Sequence, residues 1–117
     1  MDRTSAIDHV TLTVSNLDQT KKFYEQLFHT KFTKHKENSF NLLPVGIPVW
    51  FVQWEKQYPN DRFDERRVGL DHIAFHLDKL EELEKFVKRL QQIGVKTAGL
   101  ERFADKYPYV AFRDPDN

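Results

Sequence analysis

The sequence predicts an α+β fold made of two copies of one unit, in which a strand leads into a helix and further strands follow. The main observation is an internal repeat: residues 7–14 (IDHVTLTV) recur in kind as residues 70–77 (LDHIAFHL), so that His72 lies 63 residues after His9. In both copies, polar and apolar residues alternate and then change to helical spacing. Strand-like runs come after each helical stretch. We therefore expect two structurally equivalent modules.

The first module is predicted to begin with a strand within residues 7–14 and to continue into a helix. Asn16 is a good N-cap residue for that helix, and Gln19 follows three residues later, as in a capping box. The helix is expected to bury one apolar stripe, which consists of Phe23, Tyr24, Leu27 and Phe28. Three strand-like runs follow, at residues 31–36, 39–43 and 49–55.

The second module repeats this order from the strand at residues 70–77. Asp78 is expected to cap its helix, with Glu81 three residues later, and Gly94 is expected to end it. Two strand-like runs follow, at residues 95–101 and 109–113, so the last strand of the first module has no counterpart here. The expected organisation is one domain over residues 1–117, with modules at about 5–57 and 68–117 and a polar linker at about 58–67.

The composition excludes several classes of function. Lys and Arg (18) balance Asp and Glu (18), which removes the basic excess of proteins that bind nucleic acids or anionic membranes. The chain has no cysteine, so we expect neither disulfides nor thiolate metal ligands, and this fits a reducing cytoplasm. Because no long apolar run is present, we expect neither a signal peptide nor a transmembrane span. The expected partner is a small molecule.

Strand alternation places the two repeated histidines on equivalent faces. In the first strand, His9 points away from the helix together with Thr11 and Thr13. In the second copy, His72 and His76 do the same. If the modules pair as a pseudo-twofold, His9 and His72 approach a common site from symmetric positions. Two neutral imidazoles without thiolates suit zinc, nickel, manganese or ferrous iron.

Four segments resemble the vicinal oxygen chelate superfamily, and together they extend over nearly the whole chain. They are residues 8–14 (DHVTLTV), 16–24 (NLDQTKKFY), 70–75 (LDHIAF) and 109–117 (YVAFRDPDN). This superfamily includes glyoxalase I, extradiol dioxygenases, methylmalonyl-CoA epimerase, fosfomycin-resistance enzymes and bleomycin-binding proteins. The resemblance implies paired βαβββ modules that form an open sheet cup, with helices on the outer face and a divalent metal ion in the cup.

The resemblance also implies a ligand set for that metal. The family's histidine ligands match His9 and His72, and a third ligand comes from the strand at residues 49–55, where Gln53 is preferred to Glu55. The fourth ligand is normally a Glu on the strand after the Asp-Pro-Asp turn, and this sequence stops at that turn. The ligand set within these residues is therefore expected to be incomplete.

Six further residues are candidates for the site, each with an ordinary structural alternative. Glu55 and His76 are the candidate catalytic residues, although His76 has only Thr13 as its repeat partner. The candidate substrate contacts are Thr11, Trp50, Tyr109 and Arg113. The alternatives are an ordinary strand threonine, aromatic packing, and a strand-end arginine in solvent.

These features predict a metal-dependent lyase or isomerase that acts on a small molecule with vicinal oxygens. A metal bound to both oxygens would stabilise the negative charge that develops on proton abstraction. The alternatives are a metal-free protein that binds bleomycin-type drugs and an extradiol-type dioxygenase. Fosfomycin modification ranks lower, because Glu101 and Asp105 stand where basic and hydroxyl residues are expected. A homodimer is expected to cover the open strand edge at residues 109–113.

Overall fold

The structure, a computed structural model, describes residues 6–42 and 46–117. The elements in chain order are β1 (Val10–Thr13), α1 (Leu17–Phe28), β2 (Lys34–Lys36), β3 (Ser39–Leu42), β4 (Val49–Val52), α2 (Leu80–Gln92), β5 (Glu101–Phe103) and β6 (Tyr107–Tyr109). Two helices with two separate sheets confirm the predicted α+β class. Among the described residues, no helix is long and apolar enough to cross a membrane.

The first module forms a four-stranded sheet in the order β1-β4-β3-β2. β1 and β4 are parallel, from Val10 opposite Val49 to Thr13 opposite Val52, and the other pairs are antiparallel. A parallel pair needs a long crossover, which α1 and the β2–β3 hairpin provide. Each strand-like run predicted for this module contains an observed strand. Residue 5, at the predicted start of the module, and residue 43, at the end of one run, lie outside the described residues.

Helix α1 packs against both the first sheet and the second module. The Tyr24 ring packs against Phe51 of β4, with ring centroids 4.8 Å apart. One turn later on the same apolar stripe, Phe28 stacks on Tyr24 and contacts Phe75 at 5.5 Å and Phe86 of α2 at 5.8 Å. Phe51 is fully buried, as are Phe40, Leu27 and Leu90. Both modules therefore share one aromatic core that is built around α1.

The two helices begin differently. The Asn16 side chain accepts a hydrogen bond from the Gln19 backbone N–H at 3.0 Å, which confirms the predicted cap of α1. The prediction that Asp78 caps α2 is wrong, because the N-cap residue is Lys79, which makes no side-chain capping bond. Asp78 lies one residue too early, and its carboxylate is 3.4 Å from His76 Nε2. Gly94 follows α2 with a φ of 80°, as its predicted place after the helix requires.

The strands predicted for the second module are only partly formed. Residues 70–77 are not a hydrogen-bonded strand, although Phe75 and Leu77 pack against the core and His72 and His76 are exposed, as in a strand. The predicted runs at 95–101 and 109–113 are replaced by the short β5–β6 hairpin. In the first module, β4 supplies hydrogen bonds to both β1 and β3. The described part of the second module has no strand equivalent to β4, so the predicted strands lose their common partner.

Candidate functional site

The face of the first sheet that points away from α1 carries the first group of candidate residues. His9, Thr11 and Thr13 are exposed, whereas Leu12 packs against the core. Thr11 lies opposite Trp50 of β4, which places the Trp50 side chain on the same face. We call this surface the first outer face.

Two residues that the sequence analysis did not select also belong to the first outer face. Asn41 of β3 lies opposite Trp50, and the His35 ring of β2 meets Trp50 edge-on, with centroids 5.3 Å apart. Asn41 Oδ1 is buried and has no hydrogen-bond partner among the described residues. The alternation of β3 was the only sequence signal that pointed to this position. Trp50 therefore sits in a mixed polar and aromatic surface.

The second module presents an equivalent surface, which we call the second outer face. It carries His72 and His76, both exposed. We include in it the side of the β5–β6 hairpin that faces away from the core, with Phe103, which lies opposite Tyr107, and Tyr109. These three rings are 70%, 57% and 42% exposed, whereas Val110 and Phe112, which follow β6, pack against the core. The second module therefore exposes a large aromatic area.

Each repeated histidine is held by the aspartate that precedes it. His9 Nδ1 lies 2.6 Å from the Asp8 carboxylate, and His72 Nδ1 lies 2.8 Å from that of Asp71. The two histidine side chains are 53% and 77% exposed. With Nδ1 bonded to a carboxylate, Nε2 is the nitrogen that remains for a ligand, an arrangement common in histidines that bind metal ions. The sequence signal was the Asp-His dipeptide in both copies of the repeat.

His9 and His72 each lie in their own module, and helix α1 packs against both modules through Tyr24 and Phe28. In the described ranges, no group of three or more His, Asp or Glu side chains is placed to hold a metal ion. Each module therefore presents one repeated imidazole without a complete set of metal ligands around it.

Gln53 does not lie on the first outer face. Its Oε1 accepts a hydrogen bond from the Leu17 backbone N–H at 2.7 Å, at the start of α1. Gln53 thus shares the helix-facing side of Val49 and Phe51, which are buried. The predicted role of Gln53 as a third metal ligand is not supported by this placement. Glu55 is exposed and lies beyond the end of β4.

Arg113 is engaged in a contact with the linker. Its guanidinium donates two hydrogen bonds to the Glu65 carboxylate, at 2.6 and 3.2 Å, and one to the Asn117 carbonyl at 3.0 Å. These bonds from Arg113 hold the pKa of Glu65 below its usual value. Arg113 therefore holds the linker against the end of the chain, which does not support its predicted role as a substrate contact.

Comparison with known proteins gives one family and several relatives. The model of the glyoxalase/bleomycin resistance protein/dioxygenase superfamily matches residues 6–117. The fosfomycin resistance protein FosX of Listeria innocua is 27% identical over 101 residues, which span 79% of this chain and 68% of that protein.

Solved structures agree with this assignment at the level of the fold. A glyoxylase/bleomycin resistance protein/dioxygenase domain from Frankia sp. EAN1pec has a TM-score of 0.78 and 28% identity, and the match covers 98% of this chain and 93% of that one. A mutant of FosX from Listeria monocytogenes, in complex with Mn(II) and 1S,2S-dihydroxypropylphosphonic acid, has a TM-score of 0.72 and 22% identity, with 98% and 86% covered.

Proposed function

The chain belongs to the glyoxalase/bleomycin resistance protein/dioxygenase superfamily, and on that basis we propose that it is a metal-dependent lyase or isomerase acting on a small molecule with vicinal oxygens. The observation that carries the proposal is the duplicated Asp-His pair. Asp8 and Asp71 each hold one exposed histidine through Nδ1, so Nε2 is the nitrogen left for a ligand. A carboxylate in this position fixes the ring and raises its basicity as a ligand.

The complete site would form between two copies of the chain. In this arrangement, the first outer face of one protomer covers the second outer face of the other, and His9 of one protomer would meet His72 of its partner. A twofold dimer contains this contact twice, and so has two sites. The exposed rings of Phe103, Tyr107 and Tyr109 favour such burial, since apolar patches of this kind commonly mark interfaces.

A divalent metal ion bound at His9 and His72 would act as a Lewis acid toward substrate oxygens. The chain's own residues would do the rest. The Thr11 hydroxyl lies two residues from His9 on the same strand face and would donate a hydrogen bond to a substrate oxygen. Trp50 would provide an apolar wall that excludes water. His76 shares the second outer face with His72 and would transfer a proton between substrate atoms.

The substrate class is supported by the relatives. The FosX structure contains 1S,2S-dihydroxypropylphosphonic acid, which carries hydroxyl groups on two neighbouring carbons. A molecule of this type presents two oxygens at the spacing that one metal ion can bind. We therefore include fosfomycin-type phosphonates among the substrates to be tested, together with hemithioacetals, epimerisable thioesters and catechols.

Elemental analysis of protein purified without a histidine tag tests the proposal. We expect close to one divalent ion per chain in the wild type and loss of most of it in both His9→Ala and His72→Ala. His29→Asn is the control, because His29 is exposed, lies just after the end of α1 and is preceded by Phe28 and not by aspartate. A metal content that is absent, or unchanged in both variants, would contradict the proposal. If the metal content behaves as expected, turnover of one of the four substrate classes would identify the reaction.

A second candidate function is metal-free binding of an aromatic drug. It is favoured by the exposed rings of Phe103, Tyr107 and Tyr109 on the second outer face and by Trp50 on the first outer face. In that case, an aromatic ligand would quench Trp50 fluorescence equally well in the wild type and in His9→Ala. An extradiol-type dioxygenase is a further alternative. It would show ferrous iron and oxygen consumption with a catechol, so the catechol assay separates it from a lyase.

A further inference from the structure

The last four residues described, which we call the C-terminal turn (residues 114–117), contact the first module directly. Asp114 Oδ2 accepts a hydrogen bond from the Tyr24 hydroxyl of α1 at 3.1 Å. Asp116 Oδ2 accepts another from the Ser15 backbone N–H at 3.0 Å, just after β1. The turn thereby bonds to α1 itself and to the short segment between β1 and α1.

The C-terminal turn is also bonded to the linker between the modules. The Phe63 backbone N–H donates to the Asp116 carbonyl at 3.2 Å, and Asn117 Nδ2 donates to the Phe63 carbonyl at 2.9 Å. Internal bonds hold the shape of the turn, since the backbone N–H of Asp116 donates to Asp114 Oδ1 at 2.9 Å and that of Asn117 to the Asp114 carbonyl at 3.0 Å. One short segment thus joins the end of the second module to three earlier parts of the chain.

The other contacts between the modules are mainly contacts between rings. They include those of Phe28 with Phe75 and Phe86 and that of Phe23 with Phe112. One hydrogen bond also joins the helices, from the Arg89 guanidinium to the Leu27 carbonyl at 2.6 Å. Hydrogen bonds have strict geometry. The C-terminal turn adds two such bonds to the first module, so it contributes to fixing the orientation of the second module.

We propose that the C-terminal turn is a latch that fixes the second module in one position on the first, and that Tyr24 and Asp114 are the pair that controls its opening. Both are positioning residues, because they act through the placement of the second outer face and its His72. This proposal stands whether or not the protein binds a metal ion. It rests on the bonds of the turn alone.

The charges around Asp114 make the latch sensitive to pH. Burial is the main cause that raises the pKa of Asp114, and the nearby Asp116 charge adds to it, whereas the Tyr24 hydrogen bond and Arg62 of the linker oppose the shift. Burial and the Asp114 charge raise the pKa of Tyr24, so its hydroxyl remains a donor. Because burial raises it, the pKa of Asp114 is higher when the latch is closed than when it is open and Asp114 is in solvent. Raising the pH through this pKa therefore favours opening.

Amide hydrogen exchange measured by NMR reports the latch residue by residue. The Ser15 and Phe63 amides are bonded to the turn, whereas the neighbouring Val14 amide is bonded to Val52 in the first sheet. In Tyr24→Phe, we expect the protection of the Ser15 and Phe63 amides to fall about five-fold, which is the effect of losing one hydrogen bond. The Val14 amide is the internal control and is expected to keep its protection.

Two further variants separate a latch from local damage. Asp114→Asn keeps an acceptor for Tyr24 but cannot ionise, so protection should remain while its pH dependence between pH 4 and 7, corrected for intrinsic exchange, disappears. Asp116→Ala removes the acceptor of Ser15 and should also lower the protection of Phe63. If Tyr24→Phe does not fold, Asp116→Ala decides the question. Unchanged protection of the Phe63 amide in Tyr24→Phe and Asp116→Ala, or in whichever of these two folds, would overturn the proposal.

Discussion

Oε1 of Gln53 lies 2.7 Å from the backbone nitrogen of Leu17, so the end of β4 supplies an acceptor for the first turn of α1. This bond turns the Gln53 side chain toward the helix and leaves Trp54, the next residue, 61% exposed. Successive strand residues point to opposite faces of the sheet. A shift of one residue along the strand would therefore turn the Gln53 side chain from the helix to the first outer face. The contact fixes how the first sheet and α1 meet.

We predict that Gln53 contributes to stability and not to metal binding. Gln53→Ala removes the acceptor of the Leu17 N–H and should lower the free energy of unfolding by about 1 kcal/mol. Gln53→Glu keeps an acceptor and places a negative charge at the helix N-terminus, so its stability should be close to that of the wild type. Urea unfolding measures both effects. Loss of bound metal in Gln53→Ala would show instead that Gln53 is a ligand.

The two helix starts should respond differently to alanine. Asn16→Ala removes the side chain that caps α1, and we expect a loss of about 1 kcal/mol in the free energy of unfolding. Asp78→Ala should change stability by no more than about 0.5 kcal/mol, because Asp78 is exposed and does not cap α2. Chemical denaturation of the two variants side by side checks this. An equal loss in both would indicate that Asp78 caps α2 after all.

Residues 70–77 should exchange their amide hydrogens much faster than the strands of the first sheet. Within the described part of the chain, these residues form no strand pairing, whereas β4 is bonded on both sides. We expect the Phe75 amide to exchange at least about a hundred-fold faster than that of Phe51. Exchange followed by mass spectrometry measures the difference. Equal protection would mean that residues 70–77 are paired in solution.

The contribution of Asp114 to stability should decrease as the pH rises. Its pKa is raised above 3.8 in the folded protein, mainly by burial, so the folded state binds this proton more tightly than the unfolded state does. The contribution is therefore full below about pH 4 and is lost as the pH passes through the raised pKa. The difference in unfolding free energy between the wild type and Asp114→Asn should fall from pH 3.5 to 7, with the exposed Asp78→Asn as control. A difference that grows with pH would indicate a stabilised carboxylate.

Local patterns were sufficient to predict much of the fold and the two outer faces. Alternation placed His9 and Thr11 opposite the helix, and the repeat transferred the same placement to His72. Asn16 could be identified as a cap because a cap depends on residues only three positions apart. These features are encoded within one strand or one helical turn, so no knowledge of distant contacts was needed.

Features that depend on distant partners could not be predicted. Residues 70–77 have the pattern of a strand, but a strand also requires a neighbour to bond with. Arg113 pairs with Glu65 across 48 residues, and no local pattern indicates that contact. The packing of α1 against the second module depends on the contact of Phe28 with Phe75, which also lies far away in the sequence. Such contacts decide whether two correctly identified residues meet.

The central claim is that His9 of one protomer and His72 of its partner form one site, and subunit mixing tests it most directly. Neither His9→Ala nor His72→Ala should bind metal alone. When the two variants are mixed and allowed to exchange subunits, each heterodimer has one site with both histidines, so about a quarter of the wild-type metal content should return. No recovery on mixing, with both variants folded and dimeric, would contradict the shared site.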